Sequence, residues 1–191
     1  MLDSLTPKLQ GVLREGWVAY VDDYALDCHW AAGGEVLIVG DASGTISGFD
    51  GKSGRSLWRQ DNTHDGGLLA FAVHPDGKIF SSAGQDGQVI FWETESGAQL
   101  GVIGIASSWV EHLAWSPKGS FLSVACSRLA LVLDSEGKEK WRSEEHRSTV
   151  SAIAWSGERE LATACYGCVT FYDIEESKII QSFEWKGSLV S

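Results

Sequence analysis

Residues 64–93 read HDGG-LLAFAV-HPDG-KIFSSAG-QDG-QVIFWE. Runs of apolar and β-branched side chains alternate there with turn residues, and three such runs are present: Leu68–Val73, Lys78–Gly84 and Gln88–Glu93. Gly77 and Gly87 each follow an aspartate in a short connection, where glycine reaches positive φ without a steric clash. A fourth run, Ala98–Ile103, comes next. Four antiparallel strands within about 40 residues predict a small sheet with the size and layout of one propeller blade.

The composition indicates a globular all-β chain. Its 191 residues can bury a sizeable core, and nine Trp with 22 Gly are typical of hairpins with aromatic packing. The formal net charge of -11 argues against binding to nucleic acid or to anionic membranes, because both require clustered Lys and Arg. No apolar run is long enough to span a membrane, and Met1–Pro7 lacks the features of a secretory signal. With four irregularly spaced cysteines, we predict a cytoplasmic protein.

The strand-and-turn pattern recurs along the chain with a nearly constant period. The turn Ser116–Gly119 begins 42 residues after the turn His74–Gly77, and Trp155 follows Trp115 by 40 residues. Self-similarity at such a period is typical of propellers and other repeat architectures, in which each unit packs only against its neighbours.

Residues 64–93 resemble a repeat of the WD-repeat β-propeller family, which opens near a Gly-His pair and closes near a Trp-Asp pair. His64, Ser82, Asp86 and Trp92 stand at the family's hydrogen-bonding positions. The resemblance implies a structural tetrad that ties the loop before the first strand to the third strand of the same blade. These side chains would therefore support the fold and would not be catalytic.

The other repeats keep this signature only in part. In the fourth repeat His146 and Thr163 take the histidine and hydroxyl positions, and the following turn has no Asp. In the first repeat Val39 and Ser43 replace the hydroxyl and the Asp, so we expect that blade to lack the network.

We predict an all-β chain that folds as a β-propeller of WD-repeat type, with four four-stranded blades and the start of a fifth in an incomplete ring. The predicted repeats share one period and follow one another along the chain: 24–63, 64–105, 106–145, 146–183 and the partial repeat 184–191. Residues 1–23 would form a lead-in or a closing strand, with Lys8–Leu13 as the candidate strand.

An incomplete ring leaves two terminal sheet faces without a neighbour. Each would expose more apolar surface than a monomer usually tolerates. Three arrangements would resolve this. The chain could be part of a longer propeller, two copies could self-associate through the open blade faces, or four blades could close tightly with the N-terminal strand at the seam.

Cys165-Tyr166-Gly167-Cys168 is a CxxC pattern that could serve as a redox pair or as half of a zinc site. A tetrahedral site needs two further ligands, and the sequence has no second CxxC. Cys126 occupies the same repeat position as Cys165, which favours a packing role. We therefore predict no cofactor and no metal, and keep a metal or redox sensor using Cys165 and Cys168 as the alternative. The first repeat is also similar to repeats of quinoprotein-type propellers, which implies a second alternative, a propeller enzyme.

The common role of the WD-repeat family is a rigid platform for protein partners, so we predict a non-enzymatic protein–protein interaction scaffold. The resemblance implies that the connections between fourth and first strands, and between second and third strands, form one rim. We expect the partner-binding residues of this rim to be the large aromatic and arginine side chains that anchor protein interfaces: Trp109, Arg128, Arg147 and Tyr166.

Overall fold

Sixteen β-strands form four antiparallel sheets in the computed structural model, which describes residues 16–186. Blade 1 contains β1 (Ala25–Ala31), β2 (Val36–Asp41), β3 (Ile46–Asp50) and β4 (Ser56–Gln60). Blade 2 contains β5 (Leu68–Val73), β6 (Ile79–Gly84), β7 (Gln88–Glu93) and β8 (Gln99–Gly104). Blade 3 contains β9 (Val110–Trp115), β10 (Phe121–Cys126), β11 (Leu129–Asp134) and β12 (Glu139–Arg142). Blade 4 contains β13 (Val150–Trp155), β14 (Glu160–Cys165), β15 (Cys168–Asp173) and β16 (Lys178–Glu184).

The four strands of each blade lie in chain order within their sheet, so every connection inside a blade is a hairpin. A 3-10 turn over Ala32–Gly34 joins β1 to β2. This architecture confirms the predicted all-β propeller class. Among residues 16–186, no helix has the length and apolar character needed to cross a membrane.

The strands predicted for blade 2 agree with the observed strands to within one residue at each end. β5 and β7 have the predicted bounds, and β8 lies one residue later than the predicted run Ala98–Ile103. β6 was expected to begin at Lys78 and begins at Ile79, because the Lys78 amide donates to Asp76 Oδ1 at 2.9 Å and so belongs to the turn. An aspartate that caps its own turn in this way delays the start of the next strand.

The first strands β1, β5, β9 and β13 lie side by side in that order, and each sheet packs face to face on the next. The forward face of a blade looks toward the next blade in the chain, and the rear face looks toward the preceding blade. Blades 1 and 2 enclose an apolar cluster in which the rings of Trp58, Phe80 and Trp92 are stacked. Equivalent clusters lie between blades 2 and 3 and between blades 3 and 4.

The turns between first and second strands are bonded from one blade to the next. The Ala32 amide donates to the Gly77 carbonyl oxygen at 3.2 Å, and His74 Nε2 lies 3.2 Å from the Gly119 carbonyl oxygen. The Ser116 hydroxyl donates to Glu158 Oε2 at 3.0 Å. These contacts form one series along this end of the propeller and join each blade to its successor.

The forward face of blade 4 has no neighbouring sheet among the described residues. Ala164 and Val169 are cross-strand partners there, as Ala125 and Ala130 are in blade 3. The blade 3 pair is fully buried beneath blade 4, whereas the blade 4 pair is only half-buried and Phe183 beside it is 52% exposed. The described residues therefore form an open arc of four blades, as the sequence predicted.

The opposite end of the arc is partly covered by residues that precede β1. Trp17 donates its indole N–H to the Gly51 carbonyl oxygen at 3.0 Å, and its ring packs edge-on against Trp30. The candidate strand Lys8–Leu13 and the part of the last repeat after Lys186 lie outside the described residues.

Candidate interaction rim

The predicted rim residues lie at one end of the blades. Because the strands of each sheet are antiparallel and in chain order, the turns between second and third strands share an end with the connections to the next blade. Arg128 and Tyr166 lie in turns between second and third strands. Trp109 lies in the connection from blade 2 to blade 3, and Arg147 lies in the connection from blade 3 to blade 4. The fold thus brings all four to the same edge of blades 3 and 4.

At the corresponding end of blade 2, a chain of hydrogen bonds joins His64, Ser82, Asp86 and Trp92. His64 Nδ1 lies 3.0 Å from Asp86 Oδ1, and His64 Nε2 lies 2.8 Å from Ser82 Oγ. The Trp92 indole donates to Ser82 Oγ at 2.8 Å. Since a carboxylate only accepts, Nδ1 carries the proton, and Nε2 accepts from the Ser82 hydroxyl.

Burial lowers the pKa of His64, and this effect outweighs the opposing attraction of the Asp86 carboxylate. The imidazole is therefore neutral at neutral pH, and its contact with Asp86 is a hydrogen bond to a charged acceptor, not an ion pair. The four members of the set lie on the loop before β5 (His64), on β6 (Ser82), in the turn between β6 and β7 (Asp86) and on β7 (Trp92). The set joins the loop before β5 to the second and third strands of blade 2.

Blade 4 has a related set with one different member. His146 Nε2 lies 2.8 Å from Thr163 Oγ1 and 3.2 Å from the Tyr172 hydroxyl, and Nδ1 lies 3.0 Å from the Arg128 carbonyl oxygen. A backbone carbonyl of blade 3 thus replaces the missing aspartate. The sequence prediction did not assign a role to Tyr172, although its position in the repeat matches that of Trp92.

Blade 1 has neither set and uses an aspartate-centred turn instead. Asp41 Oδ1 accepts from the Ser43 and Thr45 amides at 3.1 Å each and from the Ser43 hydroxyl at 2.6 Å. The sequence signal for this turn was an Asp followed by hydroxyl residues at the second and fourth positions. The turn of this blade is therefore held through Asp41 Oδ1, whereas the buried Asp41 Oδ2 has no hydrogen-bond partner among the described residues.

Trp109 and Tyr166 are the two large exposed side chains of the rim. Trp109 is 51% exposed and Tyr166 is 62% exposed. The Tyr166 amide is held by the Ser148 hydroxyl at 2.9 Å, so the backbone beneath the exposed ring is fixed. Exposed aromatics on an ordered backbone bind partners at low cost in conformational entropy.

The two arginines of the rim are engaged within the chain. Arg128 Nε donates to the His146 carbonyl oxygen at 2.6 Å, and its guanidinium lies 3.4 Å from Glu145. Arg147 pairs with Glu184 at 2.5 Å. Both guanidinium groups remain about half exposed, so each can still contact a partner after its intramolecular partner is displaced.

Cys165 and Cys168 lie directly opposite each other on β14 and β15, at the turn that carries Tyr166. Both thiols are buried and free, as is that of Cys126. Within residues 16–186, no three His, Cys, Asp or Glu side chains come together as a metal site.

A family model described as the outer membrane protein assembly factor BamB matches residues 42–100. The chain is 27% identical to the WD repeat-containing protein VIP3 of Arabidopsis thaliana over 154 residues, which covers 67% of this chain and 48% of that protein. It is 26% identical to actin-interacting protein 1 of Drosophila melanogaster over 149 residues, which covers 73% of this chain and 24% of that protein. The chain thus spans about half the length of one relative and a quarter of the other.

Two solved structures have the same fold. A chain in the crystal structure of the mitotic checkpoint complex matches with a TM-score of 0.76 and 21% identity, over 84% of this chain and 51% of that chain. The crystal structure of the RRP9 WD40 repeats matches with a TM-score of 0.77 and 19% identity, over 85% of this chain and 52% of that chain. At this identity the likeness shows the fold alone.

Proposed function

The chain is similar to WD-repeat proteins and folds as a WD-repeat-type β-propeller, and on this premise we propose that it is a non-enzymatic scaffold whose rim on blades 3 and 4 binds a protein partner. The observation that carries the proposal is the pair of exposed aromatic rings, Trp109 and Tyr166, at one edge of the sheets. Large aromatic side chains of this kind dominate the energetics of protein interfaces.

The framework beneath the rim supports the proposal. The hydrogen-bonded set around His146 fixes the connection that precedes β13, and the Ser148 hydroxyl fixes the turn at Tyr166. A surface that is ordered before binding loses less entropy when a partner docks. The net charge of -11 favours a protein partner over nucleic acid or an anionic membrane, and a cytoplasmic location is part of the same proposal.

The test is selection of peptides from a displayed random library on the purified protein, followed by measurement of the dissociation constant of the best peptide. We expect the double variant Trp109→Ala with Tyr166→Ala to bind that peptide at least about tenfold more weakly, which corresponds to about 1.4 kcal/mol. Leu100→Ala is the matched control, because Leu100 is 58% exposed on β8, away from the rim.

Equal binding by the double variant and the wild type would exclude the rim as the binding surface. Failure to select any peptide would contradict the scaffold itself. Charge reversal of Arg128 together with Arg147 provides a second series, and there we expect a smaller effect, because both arginines already have intramolecular partners.

A further inference from the structure

Cys165 and Cys168 are direct cross-strand partners on either side of the turn Tyr166–Gly167. Residues directly opposite in an antiparallel pair point to the same face of the sheet and have Cα atoms about 4.5 to 5.5 Å apart. That separation lies within the range of about 4.4 to 6.8 Å found for disulfides. The backbone of blade 4 can therefore accommodate a bond between these two sulfurs.

Both cysteines line a groove of about 550 Å³ between β12 of blade 3 and the rear face of blade 4. Their residues are only 5% and 7% exposed, so the groove admits small reagents and keeps a second protein chain away from the thiols. This favours bond formation within one chain over bond formation between chains.

The two thiols have different surroundings. Cys168 Sγ lies 3.1 Å from Ser182 Oγ and 3.3 Å from Thr170 Oγ1, and either hydroxyl can donate to a thiolate. Among the described residues, the hydrogen-bond partner of Cys165 Sγ is the Tyr166 carbonyl oxygen, at 4.0 Å, which cannot stabilise a negative charge. Because the thiolate is the nucleophile, Cys168 is the thiol that reacts first with an oxidant.

We propose that Cys165 and Cys168 form a reversible cross-strand disulfide when the protein is oxidised by a peroxide. Cys168 sulfur attacks one oxygen of hydrogen peroxide, the O–O bond breaks, and a sulfenic acid and one water form. Cys165 sulfur then attacks the Cys168 sulfur, the S–O bond breaks, and a second water leaves. The peroxide is reduced by two electrons, and the two thiols are oxidised to one disulfide. Reduction by an external thiol reverses the bond, as expected of disulfides in reducing compartments.

Blade 3 contains an internal comparison. Cys126 occupies the position of Cys165, and its cross-strand partner is Leu129, which occupies the position of Cys168. Burial raises the pKa of Cys126, which makes its thiolate scarcer. The same fold position thus has a single thiol in blade 3 and a pair in blade 4.

The modification does not depend on the proposed partner-binding role. It would close the short loop that carries Tyr166 and release the contact between Cys168 and Ser182. Binding at the rim and oxidation of the thiols can therefore succeed or fail separately.

The test treats the whole folded protein with hydrogen peroxide, removes the excess with catalase, alkylates it under denaturing conditions and measures the intact mass. In the wild type we expect two of the four thiols to become unreactive, with the mass of the chain lower by two hydrogens, and dithiothreitol to restore all four. Cys126→Ser is the matched control and should behave as the wild type. In Cys165→Ser we expect a sulfenic acid on Cys168 that dimedone traps, and in Cys168→Ser neither a disulfide nor a dimedone adduct on Cys165. Peptide mass mapping locates each adduct and separates it from oxidation of the exposed Cys28.

Four reactive thiols after peroxide treatment of the wild type would overturn the proposal, as would a disulfide between chains that contains Cys165 or Cys168, or loss of the reaction in Cys126→Ser. Circular dichroism and thermal unfolding of each variant separate chemical effects from misfolding. If a serine variant does not fold, the alanine variant at the same position replaces it, since alanine does not add a polar group to a buried site.

Discussion

Trp155 of blade 4 donates its indole N–H to the Ala114 carbonyl oxygen and to Ser123 Oγ of blade 3, at 3.0 Å each. Its ring stacks on Phe121 of blade 3, with 6.2 Å between centroids. We expect Trp155→Phe to keep most of the stacking and to lower the free energy of unfolding by about 1 to 3 kcal/mol, because the hydrogen bonds are lost and the acceptors stay buried. Urea unfolding measures the difference, and Trp109→Phe, at an exposed position, should change it little.

Ser82→Ala removes the hydroxyl that joins His64 to Trp92. Two buried polar groups then lose their partner, so we expect a loss of about 2 kcal/mol or more in the free energy of unfolding. Ser81→Ala is the matched control. Ser81 is equally buried but makes one long hydrogen bond, 3.4 Å to the Ala72 carbonyl oxygen, so its removal should cost about 1 kcal/mol or less. Equal losses in urea unfolding would show that the His64 set does not stabilise the blade.

Gly87 and Gly101 should respond differently to substitution by alanine. Gly87 has a φ of +72°, and a Cβ there would collide with the Ala106 carbonyl oxygen. Gly101 lies within β8 and has open space where a Cβ would stand. We expect Gly87→Ala to lower the free energy of unfolding by at least about 1 kcal/mol and therefore to lower the melting temperature. Gly101→Ala should leave the melting temperature unchanged or slightly higher. A similar melting temperature for both variants would contradict the positive-φ turn.

The buried His64 and the half-buried His112 should make stability depend on pH. Burial lowers the pKa of both His64 and His112, against the smaller opposing effects of Asp86 and Glu111. The unfolded chain therefore binds protons that the folded chain does not, and the stabilisation is complete above the unfolded pKa of about 6.5 and declines as the pH falls below it. We expect a lower melting temperature at pH 5.5 than at pH 7.5, and a smaller difference in His112→Asn. An unchanged difference in that variant would exclude His112 as a source.

The forward face of blade 4 should bind a hydrophobic dye. Phe183 is 52% exposed there beside half-buried Val169, its cross-strand partner. We expect Phe183→Gln to reduce the fluorescence of bound 8-anilino-1-naphthalenesulfonate without lowering the free energy of unfolding by more than about 0.5 kcal/mol. Leu100→Gln, at an equally exposed position on β8, controls for the loss of a single apolar side chain. Equal reductions would show that this face is no more apolar than the rest of the surface.

The strands could be predicted from sequence because each lies between turns with their own chemistry. In blade 2, Gly77 and Gly87 have positive φ and lie in the turns that separate β5 from β6 and β6 from β7. The predicted bounds of β5 and β7 are those observed. The recurrence of this pattern then predicts the number of blades and their order. The similarity to WD-repeat proteins follows from the same positions, and the comparisons confirm it.

Contacts between blades were not predictable in the same way. The repeat period predicts that Trp155 lies at the end of a strand. It does not predict that the indole donates to Ser123 in the preceding sheet. The arginines show the same limit, since their position predicts a rim and not their pairing with Glu145 and Glu184. Such contacts depend on how two sheets are rotated relative to each other, which local sequence does not encode.

The series of bonded turns, from Ala32 through His74 and Ser116 to Glu158, links only adjacent blades. Cooperativity in such a chain travels from neighbour to neighbour, as in a one-dimensional lattice of coupled units. Blade 4 has a coupled neighbour on one side only among the described residues, so its amides should exchange with deuterium sooner than those of blades 2 and 3. Fraying would begin at that end and advance one blade at a time toward the aromatic cluster shared by blades 1 and 2.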